Sequence, residues 1–351
     1  MNGKDPIYTT NEIKEMVKHT ITVDYDEVTD ITPDVRITMY NAGHILGSSM
    51  VHLHIGNGFH NIVYTGDMKF NKTKLFEPAG TKFPRLETLM MEATYGAKDA
   101  IVPSREEEEE RFVKILKETV DRQGKVLVPV LGVGRAQEIM MILENLWSRG
   151  KMPRVPIYID GMVWDVTAIH TAYPEFLNTN LRRSIFHKDS NPFLSESFKQ
   201  VGSAKERQQI LEEESSAIIL ATSGMLVGGA SVEYLRAMAE DKRNTLLFVC
   251  YQGEGSLGKR IQNGERQINM GTSTKPDMMN LNLQIDCFES FSGHSDRREL
   301  MNYVKRCNPK PKKIVLNHGD NARCLDLASS IHRKMRIETV APRNLEAIRL
   351  R

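Results

Sequence analysis

The sequence predicts an α/β fold. Three observations carry that reading: short β-rich runs follow one another near the N-terminus, strand-like and helical segments alternate through the middle, and one more strand–helix pair closes the chain. At 351 residues the chain is long enough for two domains and a sizeable buried core.

Residues 35–39, 51–55 and 61–64 read as consecutive strands, rich in Val, Ile, Thr and Tyr and separated by Gly or Asn. From Ser104 the pattern changes. Ser104 caps a predicted helix whose first turns carry Glu107 to Glu110, and acidic side chains there suit the positive end of the helix dipole. The Glu run reads as a solvated helix face rather than an interaction tail. Residues 125–130 before 136–147, and 217–221 before 231–239, read as βαβ units, which call for a parallel sheet. A strand at 313–317 and a helix at 324–334 complete the pattern, and the sequence shows no internal repeat, low-complexity tract or long linker.

Composition narrows the class without fixing it. With 40% hydrophobic and 26% charged residues, the chain reads as an ordinary folded protein rather than a disordered one. No apolar run approaches the roughly 20 residues needed to span a bilayer, and the N-terminus lacks a secretory pattern, so the expected location is cytoplasmic, with no membrane partner. Cys250, Cys287, Cys307 and Cys324 lie far apart with no C-x-x-C pair and read as buried thiols. A net charge of +2 permits RNA as a partner without demanding it.

Acids and imidazoles flanked by glycine stand just beyond predicted strands: Gly43-His44, Gly66-Asp67, Glu92-Ala-Thr-Tyr-Gly96, Gly293-His294-Ser-Asp296 and Asn317-His318-Gly-Asp320. Ligands gather at strand ends of layered α/β folds, and glycine lets backbone approach a bound group. A single such residue is more often a turn residue or a satisfied polar group. Their recurrence in one chain points to a shared site.

The ordered strings Ala42-Gly-His-Ile-Leu-Gly-Ser48, Tyr64-Thr-Gly-Asp67, Met91-Glu-Ala-Thr-Tyr-Gly96, Phe291-Ser-Gly-His-Ser-Asp296 and Leu316-Asn-His-Gly-Asp320 resemble motifs 3, 4, A, B and C of the metallo-β-lactamase/β-CASP ribonucleases. The resemblance is to the archaeal cleavage-and-polyadenylation specificity factor (CPSF) endonuclease type. Gly132-Val-Gly-Arg-Ala-Gln-Glu138, Ala221-Thr-Ser-Gly-Met225 and Tyr251-Gln-Gly-Glu-Gly-Ser-Leu-Gly258 resemble the inserted β-CASP domain of those proteins. The resemblance runs from about Pro6 to Leu350.

It implies a partial metallo-β-lactamase αββα sandwich with an inserted β-CASP α/β domain: residues 1–95 as the C-terminal portion of the first sandwich segment, 96–287 as the insertion, and 288–351 as the return segment. It also implies a zinc-dependent ribonuclease, endonucleolytic and possibly also 5′→3′ exonucleolytic, in RNA 3′-end processing or decay. Two zinc ions serve the complete family site; His44 would ligate one, Asp67 bridge both, and His318 ligate the other. Imidazole nitrogen and carboxylate oxygen are the ligands zinc takes, and paired metals neutralise charge on an attacked phosphate. His294 would be the general acid, a role suited to a group that titrates near neutrality, with Glu92 holding its ring. The family's C-terminal segment implies a homodimer.

One departure stands out. The family's His-x-His-x-Asp-His string does not occur in this sequence; the only His-x-His, His52-Leu-His54, is followed by Ile55 and Gly56 and reads as two side chains on one face of a strand. The chain therefore reads as a member without its first half-domain and without the KH modules of archaeal relatives, with an incomplete zinc site. The alternative function is a catalytically inactive fragment that binds RNA or dimerises.

RNA contacts are expected at three places. Arg135, beside Gly132 and Gly134 at a strand-to-helix turn, offers a phosphate its fork, with Gln137 close by. Ser223 with Gly224 forms a second candidate turn, and Lys259 and Arg260 follow a glycine-rich loop. That loop imitates a phosphate loop of the G-x-x-x-x-G-K kind but has Arg260 where a Ser or Thr is needed.

Overall fold

The computed structural model describes residues 7–187, 191–271 and 275–350. The outermost residues of the expected first and last segments, 1–6 and 351, lie outside them, and so does Pro6.

After an exposed helix α1 (Thr10–Lys18), the chain forms five strands in succession: β1 (Val28–Thr32), β2 (Val35–Asn41), β3 (Ser49–Ile55), β4 (His60–Tyr64) and β5 (Thr88–Glu92). Helix α2 (Arg105–Asp121) then opens an alternating stretch: β6 (Val126–Pro129), α3 (Arg135–Ser148), β7 (Ile157–Asp160), α4 (Val163–Ala172), α5 (Thr179–His187), β8 (Phe198–Gln200), α6 (Ala204–Glu212), β9 (Ile218–Ala221), α7 (Ala230–Met238), β10 (Thr245–Phe248) and α8 (Leu257–Gln262). A hairpin of β11 (Gln267–Asn269) and β12 (Met278–Asn280) leads to β13 (Gln284–Cys287), and the chain closes with α9 (Arg297–Arg306), β14 (Lys313–Asn317), α10 (Asn321–Met335) and β15 (Glu338–Val340).

Two sheets organise these elements. The seven-stranded sheet runs β1-β2-β3-β4-β5-β14-β15, so the last strands of the chain pair with its first ones, β14 lying parallel to β5 from Lys313↔Thr88 to Asn317↔Glu92. Met50, Val63, Leu89, Met91, Ile314 and Leu316 point to one face and pack under Leu300, Tyr303 and Val304 of α9 and Leu327 and Ile331 of α10. The opposite face carries Ile37, Met39, Val51, Leu53 and Met90, all half-buried. Among the described residues this half of the molecule is therefore one sheet with one helical layer, part of the αββα sandwich expected from the sequence.

The six-stranded sheet, β13-β10-β6-β9-β7-β8, is wholly parallel and covered on both faces. Alternation along each strand divides it: Val126, Val128, Ile157 and Leu220 pack against α2 and α3, whereas Leu127, Ile219 and Leu246 pack against α7. Near-continuous apolar runs such as Ile218–Ala221 are what burial on both faces requires.

The predicted strand–helix pairs all form, with ends shifted by a residue or a few. Ser104 caps α2 by accepting from the Glu107 amide. The solvated reading of the Glu run needs one correction: Glu108 is buried and paired at 2.9 Å to Nη1 of Arg111, whose guanidinium also reaches Asp286 and the Cys287 carbonyl of β13 and so ties this face of the helix to the sheet. Cys250, Cys307 and Cys324 are buried and Cys287 half-buried, all as free thiols.

Candidate metal centre

The strand ends of the first sheet meet the loops that follow the parallel strands of the second. The turn after β2 delivers His44, the turn after β4 delivers Asp67, β5 ends at Glu92, and the turn after β14 delivers His318. The loop between β13 and α9 brings His294 among them. Gly43 permits the first turn: its φ is +70°, and a Cβ there would stand 2.8 Å from the carbonyl oxygens of Glu77 and Lys69.

Donor atoms of His44, Asp67 and His294 lie within 4.8 Å of one another. Asp67 has His44 Nε2 3.8 Å from Oδ2 and His318 Nδ1 3.1 Å from Oδ1, so each carboxylate oxygen faces a different imidazole. Two donors about 2.1 Å from one zinc at a tetrahedral angle stand about 3.4 Å apart, and the two separations bracket that value. His44 donates Nδ1–H to the Gly293 carbonyl at 2.9 Å, which leaves Nε2 as the metal-ready nitrogen. These groups fit zinc in type and spacing. The mutually closest trio includes His294 where the sequence pointed to His318, because the rings of His44 and His294 approach to 4.6 Å between centroids.

His294 Nδ1 donates to Glu92, 2.9 and 3.1 Å from the two carboxylate oxygens. Burial pushes the Glu92 carboxyl up, but the His294 imidazole, the Met68 amide at 2.6 Å and the Thr94 hydroxyl at 2.5 Å outweigh it and hold the carboxyl below its usual range. Burial, with the neighbouring His294, pushes the His44 imidazole down. His318 adopts φ +48°, uncommon outside glycine, and its ring contacts Thr94 Oγ1 at 3.3 Å. Thus the structure brings His44, Asp67, Glu92, His294 and His318 into one cleft.

Four of the residues expected to meet RNA are spent inside the protein instead. Arg135 is 6% exposed and donates Nη1 to the Phe291 carbonyl, so its fork braces the loop that carries His294. Gln137 is fully buried: Oε1 accepts from the Gly134 amide at 2.8 Å, and Nε2 donates to the Gly132 carbonyl and Thr167 Oγ1, each at 3.1 Å. Ser223 Oγ donates to the Gly228 carbonyl and accepts from the Val227 amide, closing its own turn, and Gly224 is buried against Cys250 and the backbone of Val130 and Leu131. Lys259 lines a cavity beside the cleft, whereas exposed Arg260 is ion-paired with Glu265. His52 and His54 lie with ring centroids 4.0 Å apart and planes tilted by 44°, outside the cleft's donor group.

Other supports had little sequence signal. Lys69 donates to the His294 carbonyl at 2.9 Å while paired with Glu299 at 3.0 Å, and Arg323 Nη1 donates to the Thr94 carbonyl at 2.6 Å. Only Thr94 had a clue, its position two residues beyond Glu92 in the same string.

A sheet with one helical layer, a His/Asp cluster at its strand ends and a parallel-sheet insertion above it define the metallo-β-lactamase type of fold. The chain matches the Beta-Casp domain over residues 136–261 and the Zn-dependent metallo-hydrolase RNA specificity domain over residues 278–342. It is 55% identical over 352 aligned positions to the transcription termination factor FttA of Thermococcus kodakarensis, covering 100% of this chain and 54% of that protein. The FttA of Methanocaldococcus jannaschii is 51% identical and that of Lokiarchaeum 48%, each match covering 99% of this chain and 55% of the relative. The chain thus spans about half the length of the curated relatives it matches. It belongs to the metallo-β-lactamase/β-CASP family. Among the described residues no helix is long and apolar enough to cross a membrane.

Proposed function

We propose that the cleft is the site of a zinc-dependent RNA phosphodiesterase. The observation that carries this reading is the Asp67 carboxylate set between His44 and His318, with the His294–Glu92 pair beside it. Zinc bound there would supply Lewis acidity toward the phosphate and acidify a water. Asp67, with His44 and His318 on either side of its carboxylate, would hold the zinc. Glu92, anionic and buried, fixes the His294 ring by Nδ1 and leaves Nε2 to protonate the leaving oxygen. The relatives are named transcription termination factors, and cleavage of a nascent transcript by this cleft is compatible with that name.

The number of donors favours a second reading for the chain by itself. Among the described residues the assigned donors His44, Asp67 and His318 are too few for two tetrahedral shells, so this chain alone holds RNA, and pairs with a second copy through residues 340–350, more readily than it cuts. A chimera in which it replaces the matching part of the Thermococcus relative tests the hydrolase reading. We expect zinc-dependent cleavage of labelled RNA that drops about 100-fold or more in His294→Ala. Cleavage indifferent to His294→Ala and Asp67→Ala would overturn it.

A further inference from the structure

We propose that the apolar wall facing the metal centre is a nucleobase pocket, formed by Ile45, Leu131, Val133 and Tyr251, for the base next to the attacked phosphate of a single-stranded RNA. The proposal rests on the RNA phosphodiesterase reading and names what that site grips besides phosphate.

The cavity measures 360 Å³ and carries two different surfaces. On one side stand His44, Asp67 and His294. On the other stand side chains from the loops after β6 and β10, together with Ile45 from the turn after β2. Leu131, Val133 and Tyr251 are 41, 39 and 36% exposed although no core needs them there. A lone exposed leucine carries no message, but apolar groups on separate loops lining one cavity with the metal donors mark a ligand surface.

The chemistry of that ligand follows from what the wall lacks. Arg135 reaches the cavity but its guanidinium is bound to the Phe291 carbonyl, and the Cys250 thiol donates to the Pro129 carbonyl, so neither reads the edge of a base. A phosphodiester and its ribose offer little apolar surface. A base offers a whole π face, hidden in a duplex and available in a single strand. Tyr251 also borders the neighbouring polar cavity, lined by Lys259 and Arg323 together with Glu289; Lys259 lies 3.8 Å from Glu254 and Arg323 3.2 Å from Asp320. A strand crossing Tyr251 therefore passes from apolar contact to polar contact within reach of the Lys259 amine, as alternating base and phosphate require.

The test is fluorescence anisotropy of the 351-residue chain with a short labelled single-stranded RNA and a series in which each base in turn is removed, at several salt concentrations. One position is expected where losing the base weakens binding about 10-fold. Leu131→Ser and Val133→Ser, both at exposed loop positions, should weaken the intact RNA similarly, abolish the sensitivity at that position and leave the salt dependence unchanged. Lys259→Ala should do the reverse, lowering the salt slope by about one and keeping the base pattern. RNA binding that is equal for every abasic position, or unaffected by the Leu131 and Val133 changes, would overturn the pocket and leave the RNA reading standing. Failure to bind any RNA would overturn both.

Discussion

At the scale of single residues, burial decides which polar groups act on the outside world. Glu92 and Gln137 are both inaccessible, yet Glu92 works on the cleft because its carboxylate reaches His294, whereas the contacts of Gln137 go to its own turn and to Thr167 of α4, away from the cleft. Glu92→Gln keeps the shape but offers the His294 Nδ1–H at best one acceptor and no charge; cleavage by the chimera should fall about 10-fold or more, with RNA affinity unchanged. Equal cleavage rates would remove Glu92 from the mechanism. His52 provides a pH signature. Burial, reinforced by neighbouring His54, pushes its imidazole down to about 4. The unfolded chain protonates this group near 6.5, so it takes up the proton first as pH falls; stability is full above that value and is lost down to about 4. Between about pH 7 and pH 5 the loss attributable to His52 is about 2 kcal/mol. Urea unfolding at the two pH values should show that His52→Leu reduces the acid sensitivity by this amount, and an identical pH dependence in the variant would contradict the assignment.

At the scale of elements, the loops after parallel strands do the positioning. Gly293 is packed so closely that an added Cβ would stand 3.0 Å from the His44 ring and 3.1 Å from Arg135 Nη2. Gly293→Ala should therefore displace His44 and lower zinc affinity by about 10-fold, the loss typical when a group orienting a metal ligand is disturbed; unchanged affinity by isothermal titration would mean that the loop yields freely. Gln137→Ala strips partners from the buried Gly134 amide and Gly132 carbonyl, and should cost about 2 kcal/mol in denaturant unfolding without changing the salt slope of RNA binding. Much of this arrangement was legible in the sequence. Strands such as Lys313–Asn317 announced themselves by apolar runs, and the glycine-flanked His44, Asp67, His294 and His318 by recurrence at strand ends. The inward turn of Arg135, Gln137 and Ser223 was not, because sequence shows that a turn exists there but not which side chains it folds beneath itself. Contacts such as Lys69 to His294 join residues more than two hundred positions apart and leave no local pattern.

At the scale of the whole molecule, the return of β14 to the side of β5 makes the cleft: residues from both ends of the chain converge only because the insertion folds as its own parallel sheet and hands the chain back. In the proposed function this convergence is a zinc centre built on Asp67. Equilibrium dialysis against zinc, followed by metal analysis of the 351-residue chain and its variants, tests it most directly. Weak, readily dialysed zinc is predicted for the unaltered chain, lost in Asp67→Ala and in His44→Ala but retained in His294→Ala, because the proposal gives His294 proton transfer and sets the metal on Asp67 between His44 and His318. Zinc uptake that survives Asp67→Ala, or two ions held tightly through dialysis, would contradict the account.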